Sequence, residues 1–181
     1  MNHRMTQKIF SCFTVGLLFL FSPLAAHSVT TDYRHIKVIK VYDGDTITVV
    51  NGEKVRFIGI DCPETHENQK LYRDAKRTGQ DIAVIKEMGK LSTDFTRQLL
   101  LNKNIQLEFD VQKRDRYGRL LAYVYLPDGT FVNARIVEQG LASPMTVPPN
   151  VKHAQLFKTL YAQARSGKRG LWALASEAES K

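Results

Sequence analysis

Between His35 and Ile60 the chain sets three short strand-like runs, HIKVIKVY, TITVV and KVRFIGI, around two compact turn sequences, DGDT and NGE. Asn and Gly both tolerate positive φ, so Asn51-Gly52 between two β-branched runs is a strong hairpin signal. The first third of the chain therefore reads as a three-strand meander. DGDT occupies its first turn, and DCPET begins where the third strand stops.

The rest of the pattern extends this start. QDIAVIKEMGKLSTDFTRQLLL spaces Ile82, Ile85 and Met88, then Leu91, Phe95 and Leu99, as a helix in two pieces with a break expected at Gly89. The polar stretch before it, HENQKLYRDAKRTG, reads as a mobile surface segment. Two further strands are expected in NIQLEFD and RLLAYVYLPDG, the second ending in a Pro-Asp-Gly turn. TFVNARIVEQGLA and NVKHAQLFKTLYAQARSGKRGLW each carry helical spacing. Three strands, a helix, two strands and then helices is the order of an α+β protein built on a five-stranded Greek-key barrel of the OB type, with about three helices packed on it. Such barrels often hold single nucleic-acid strands, but they also bind sugars and proteins.

Residues 1–28 read as a secretory signal peptide: basic Arg4 and Lys8, an apolar run from Ile9 to Phe21 too short for a bilayer crossing, then Pro and small residues up to Ser28. The expected mature domain covers residues 29–175, followed by a polar tail, 176–181. Export places the protein in the periplasm or the medium, with no stable membrane association after cleavage. Loss of Arg4 and Lys8 takes the net charge from +8 to +6. A chain that basic attracts polyanions, nucleic acid first. Cys12 leaves with the leader, so Cys62 has no disulfide partner within the mature chain, and it reads as a buried filler.

Asp43, Asp45, Asp61 and Glu64 lie in the two segments that a meander brings together. Converging carboxylates repel and take up protons unless a cation sits between them, and hard oxygen ligands suit Ca²⁺ or Mg²⁺ rather than Zn²⁺. His35, His66 and His153 are isolated, so no Cys/His ligand set competes. Taken alone, DGDT can be only a turn and DCPET only a loop. Arg56 on the third strand and Arg119 at the start of the fifth supply guanidinium forks that match phosphate oxygens and the extra charge of a five-coordinate phosphorus. Either arginine, taken singly, is as easily a solvated side chain.

DGDT, VRFIGIDCPET, RDRYGRLLAYVY and the final LW together resemble the staphylococcal nuclease family, in order, from about His35 to Trp172. The resemblance implies a Ca²⁺-dependent phosphodiesterase acting on DNA and RNA as a monomer and leaving 3′-phosphate ends. It assigns Asp45, Asp61 and the backbone carbonyl of Cys62 to the metal, with Asp43 behind them. Arg56 and Arg119 match its phosphate-binding arginines, and Glu64 matches the acid assigned as general base. Arg116 and Tyr117 are placed against the substrate. Glu108 and His153 match a structural pair tying the fourth strand to the last helix.

The family's reference member carries aromatic residues where ASPMTVPPN offers Met145 and Val147, which implies weaker base stacking. The segment from Glu67 to Met88 is longer than in that member, as a lid or a tolerated loop. The alternative function is an OB-fold nucleic-acid-binding module without catalysis. The intact set of Asp45, Arg56, Asp61, Glu64 and Arg119 separates the two.

Overall fold

The computed structural model describes residues 31–173; the expected leader and the polar tail lie outside the described residues. The elements are β1 (Ile36–Asp43), β2 (Thr46–Val49), β3 (Lys54–Phe57), β4 (Gly59–Asp61), α1 (Gln69–Thr78), α2 (Ile82–Leu100), β5 (Asn104–Glu108), β6 (Leu120–Tyr125), α3 (Val132–Glu138), β7 (Ser143–Met145) and α4 (Ala154–Ser166). Five strands close into a barrel in the order β1-β2-β3-β6-β5, with β3 and β6 parallel and the other pairs antiparallel. This is the five-stranded α+β barrel expected from the element order, with four named helices among the described residues. None of the described helices is long and apolar enough to cross a membrane.

Alternation fills the barrel. Val38, Ile47, Val49, Val55, Phe57, Ala122 and Val124 are all within 1% of complete burial and form its centre. Val55 and Phe57 point to the core, so Arg56 between them faces the other side of the sheet. The register pairs it with Thr46, next to the β1–β2 turn.

The third apolar run is not one strand. After Ile58 the chain turns at Gly59, whose φ of +81° would strain any other residue, and where a Cβ would lie 2.4 Å from the Phe157 ring. β4 then leaves the barrel and pairs with β7, placing Asp61 opposite Ser143. Asn133, fully buried on α3, holds this exit: its side-chain amide donates to the Ile58 carbonyl at 2.9 Å, and its oxygen accepts from the Val124 N–H at 2.9 Å.

Two helical expectations are corrected. The polar stretch after His66 contains a helix, α1, capped by Asn68, whose oxygen accepts from the Leu71 N–H at 2.9 Å, and closed by Gly79 in the left-handed region. Its one apolar anchor, Leu71, is completely buried, too little to produce an apolar period.

α2 is continuous through Gly89, and its buried seam is Ile85, Met88, Gly89, Ser92, Thr93, Thr96 and Leu100. Leu91, expected inside, is 43% exposed. Small residues win the inward face because the helix lies directly on backbone. Thr96 donates to the Gly44 carbonyl at 2.7 Å, and Ser92 donates to the Leu141 carbonyl at 2.6 Å. A methyl group on Gly89 would lie 2.5 Å from the Glu64 carbonyl oxygen.

Alanine at position 89 therefore tests this contact. At an unobstructed helix position Gly→Ala stabilises by about 1 kcal/mol. Here overpacking against main chain is expected to reverse the sign, giving a loss of about 1–3 kcal/mol in urea denaturation; a stabilised variant would contradict the close approach.

Candidate active site

A cleft of about 560 Å³ opens where the β1–β2 turn, β4, the start of α1, the β5–β6 loop and β7 meet. Asp43, Asp45, Arg56, Asp61, Glu64, Arg116 and Arg119 all line it, so the fold gathers seven of the nine expected site residues in one cleft. Of the other two, Cys62 contributes its main chain from between Asp61 and Glu64, and Tyr117 lies against the two loop arginines.

The deepest part is an ion pair. Asp45 is 4% exposed; its Oδ2 accepts from the Cys62 N–H at 2.7 Å and lies 2.5 Å from Arg56 Nη1, a contact ionic rather than aligned as a hydrogen bond. Its Oδ1 accepts from the Thr46 hydroxyl at 3.0 Å. The second guanidinium nitrogen of Arg56 donates to Asp61 Oδ1 at 2.8 Å. One arginine thus joins the DGDT turn to the DCPET segment. Gly44 makes the approach possible, because a Cβ there would meet Cys62 Sγ at 2.6 Å and Ser92 Cβ at 2.8 Å. Cys62 is the filler expected from the sequence: it is buried, and burial pushes its thiol well above the ordinary range.

Charge follows burial. Asp43 is pushed up to about 7, by burial first and then by the neighbouring Asp45 carboxylate. Burial opposes ionisation of Asp45 most strongly, but Arg56, the Cys62 N–H, Asp43 and Lys70 together outweigh it and the group lies below the usual range. Asp61 is raised because burial, with repulsion from Asp45, exceeds the help of Lys70 and Arg56. Lys70 itself is desolvated, yet Asp61 and Glu64 keep its ammonium above the normal value.

Lys70 is the residue that sequence reasoning missed. From the first turn of α1 its Nζ reaches Asp61 Oδ1 at 3.0 Å, Glu64 Oε1 at 2.9 Å and the Cys62 carbonyl oxygen at 2.9 Å. The other Glu64 oxygen accepts from the Asn68 amide at 2.7 Å. A cation at a helix N-terminus opposes the macrodipole. A lysine two residues after an Asn cap and close behind two acids was the available signal.

These oxygens bear on the expected metal. No group of three Asp, Glu, His or Cys side chains among the described residues forms a metal cluster. Two carboxylates and one carbonyl nevertheless converge on a single cationic nitrogen, and all three are hard oxygen donors that fit Ca²⁺ or Mg²⁺ with water or substrate oxygens completing the shell. Asp45, expected as a ligand, has its carboxylate committed to Arg56, Thr46 and the Cys62 N–H.

On the opposite rim Asp115 organises the loop. It accepts from the Tyr117 N–H at 2.9 Å, the Arg119 N–H at 3.0 Å and Arg119 Nε at 2.7 Å. Tyr117 is exposed, receives a hydrogen bond from Arg116 at 2.6 Å, and has the guanidinium carbons of Arg116 and Arg119 4.8 and 5.6 Å from its ring centre. Met145 lines the cleft, while Val147 is 57% exposed. Away from the cleft, Glu108 pairs with Lys152, and His153 Nε2 stands 4.0 Å off. The His153 ring packs on Tyr123 and Phe131 at 4.5 and 4.9 Å, a structural position.

Residues 54–174 match the family described as "Staphylococcal nuclease homologue". The thermonuclease of Staphylococcus hyicus is 37% identical over 139 residues, covering 75% of this chain and 74% of that protein. An uncharacterized endonuclease of Escherichia coli is 32% identical over 160 residues, 86% of each. Endonuclease YncB of Bacillus subtilis is 34% identical over 143 residues, 76% of this chain and 61% of that protein.

The Asp43 shift makes stability depend on pH. Between the ordinary 3.8 and about 7 the folded state keeps a proton that the unfolded state has released. The contribution is therefore full below 3.8 and lost as pH rises through about 7. In chelating buffer Asp43→Asn lacks this decline, so its unfolding free energy is expected to gain on wild type between pH 5 and pH 8. A constant difference across that range would contradict the shift.

Proposed function

The chain belongs to the staphylococcal nuclease family, and from that premise we propose that it is a calcium-dependent nuclease hydrolysing phosphodiester bonds of DNA and RNA to leave 3′-phosphate ends. The observation that supports this best is the placement of Glu64 and a hard-oxygen cation pocket across one cleft from Arg119, with Arg56 between the acids. Anionic substrate, cation and base then share a single cleft.

When bound, the cation supplies positive charge against a phosphoryl oxygen. Arg119 reaches the cleft with its guanidinium oriented through Nε by Asp115, and its fork suits two phosphate oxygens. Arg56 meets the rising negative charge from the buried side while it stays paired with Asp45 and Asp61. Glu64 takes the proton of a water aligned with the phosphorus–O5′ bond. Breaking that bond leaves the phosphate on the 3′ side, and the departing O5′ takes a proton from solvent to become the 5′ hydroxyl. Asn68, held at Glu64 Oε2, fixes the carboxylate's orientation. We further propose that the protein is exported and acts as a monomer; its basic charge favours polyanion capture.

Glu64→Gln is expected to keep calcium and nucleotide binding while kcat falls by about 10²–10⁴-fold, read with single-stranded DNA, duplex DNA and RNA in Ca²⁺ and in chelator. Wild-type turnover in Glu64→Gln would remove it as the base, and chelator-insensitive cleavage would remove the calcium requirement. Arg119→Lys keeps the charge and loses the fork, so kcat is expected to drop by about tenfold or more with little change in stability. End-group mapping on the same reactions checks the 3′-phosphate.

A further inference from the structure

The position of Lys70 is built from both sides. Before it, Asn68 caps α1 and holds Glu64; after it, Leu71 is fully buried and fixes the first turn to the body of the protein. The ammonium is therefore delivered to one point. It has three N–H groups and three oxygen acceptors within 3.0 Å, from Asp61, Cys62 and Glu64. Its side chain is 23% exposed, so the group is largely desolvated yet has a way out into the cleft.

Two of these oxygens, Asp61 Oδ1 and the Cys62 carbonyl, are the hard donors assigned to a divalent cation in this cleft, and Glu64 stands beside them as the proposed base. Ammonium contacts of 2.9–3.0 Å and calcium contacts of roughly 2.3–2.6 Å cannot share one point. We propose that Lys70 is a tethered counter-ion that competes with the divalent cation for Asp61 and the Cys62 carbonyl, and so sets the cation affinity of the site. The proposal rests on the cation-site reading of the cleft, but not on the reaction carried out there. Without a divalent ion, Lys70 keeps the two carboxylates from repelling one another. With one bound, Lys70 leaves the cluster, and cation affinity is lowered by the work of displacing it.

Two measurements on the purified protein at fixed pH and ionic strength test this. The first is calorimetric titration of chelator-treated wild type, Lys70→Gln, Lys70→Met and Lys76→Gln with CaCl₂. Lys76 is exposed on the same helix, so its variant controls for net charge. Both Lys70 variants are expected to bind Ca²⁺ about tenfold or more tightly than wild type, and Lys76→Gln within about twofold.

The second is reductive methylation of wild type followed by peptide mass spectrometry. Lys70 is expected to react about threefold or more faster in saturating Ca²⁺ than in chelator, because displacement returns its amine to solvent. Tighter binding by the Lys70 variants in a protein that cleaves nothing would reject the nuclease reading and sustain this one. Unchanged affinity in both Lys70 variants, no binding in any variant, or Lys70 still protected in saturating Ca²⁺ would overturn it.

Discussion

The site depends on one guanidinium held where a sheet would ordinarily carry a neutral side chain. Arg56 is 10% exposed at its side chain and joins Asp45 in the β1–β2 turn to Asp61 at the end of β4. Desolvating three charges costs several kcal/mol per ion, so this cluster is not a device for stability. What it secures is geometry. Removing any one partner leaves a buried charge uncompensated, so turn and strand end keep a single relative position. The barrel register sets that position first, by placing Arg56 opposite Thr46 and one residue from Asp45.

Close backbone packing makes the cluster possible. Gly44 lies against Cys62 and Ser92, and Gly89 lies against the carbonyl of Glu64, so α2 clamps both acidic segments from behind. Ser92 and Thr96 then satisfy the carbonyls of Leu141 and Gly44, which the helix would otherwise bury unpaired. The helix that carries no cleft residue therefore holds two segments that do. Asn133 performs the matching service at the Ile58 exit, where the strand pairing stops.

Much of this was legible in the sequence, and the exceptions have physical causes. The strand runs, the Asn51-Gly52 hairpin and the barrel order follow from alternation and turn chemistry. The DGDT and DCPET acids converge because a meander returns its third strand to its first turn. α1 was missed because a helix stabilised by Asn68, Gly79 and the single anchor Leu71 leaves no apolar stripe. The inward face of α2 was misread because hydrophobicity marks contact with side chains, whereas this seam meets backbone and selects Gly, Ser and Thr. Lys70 was hidden with α1. Asp115 lies within RDRYGR, but its loop-ordering role arises from hydrogen bonds to Tyr117 and Arg119 that only the folded loop brings together.

Charge in the cleft explains why a basic protein concentrates acids there. Asp43, Asp45, Asp61 and Glu64 lie with Arg56 and Lys70 at its floor, and burial together with the Asp45 carboxylate leaves Asp43 holding a proton up to about pH 7. Arg116 and Arg119 stand on the rim, with Arg119 tied to Asp115. The long-range field of the chain is thus positive while the floor is electron-rich, and the two are separated by depth. A polyanion is drawn by the rim and the net charge, yet it meets acids unless a cation lies between. Under the proposed cation-dependent reading, such a floor has little affinity for phosphate by itself and gains it when a divalent ion is present. On this arrangement cation and substrate bind with mutual assistance, and Arg56 serves both by holding the acids in place and by offsetting part of their charge.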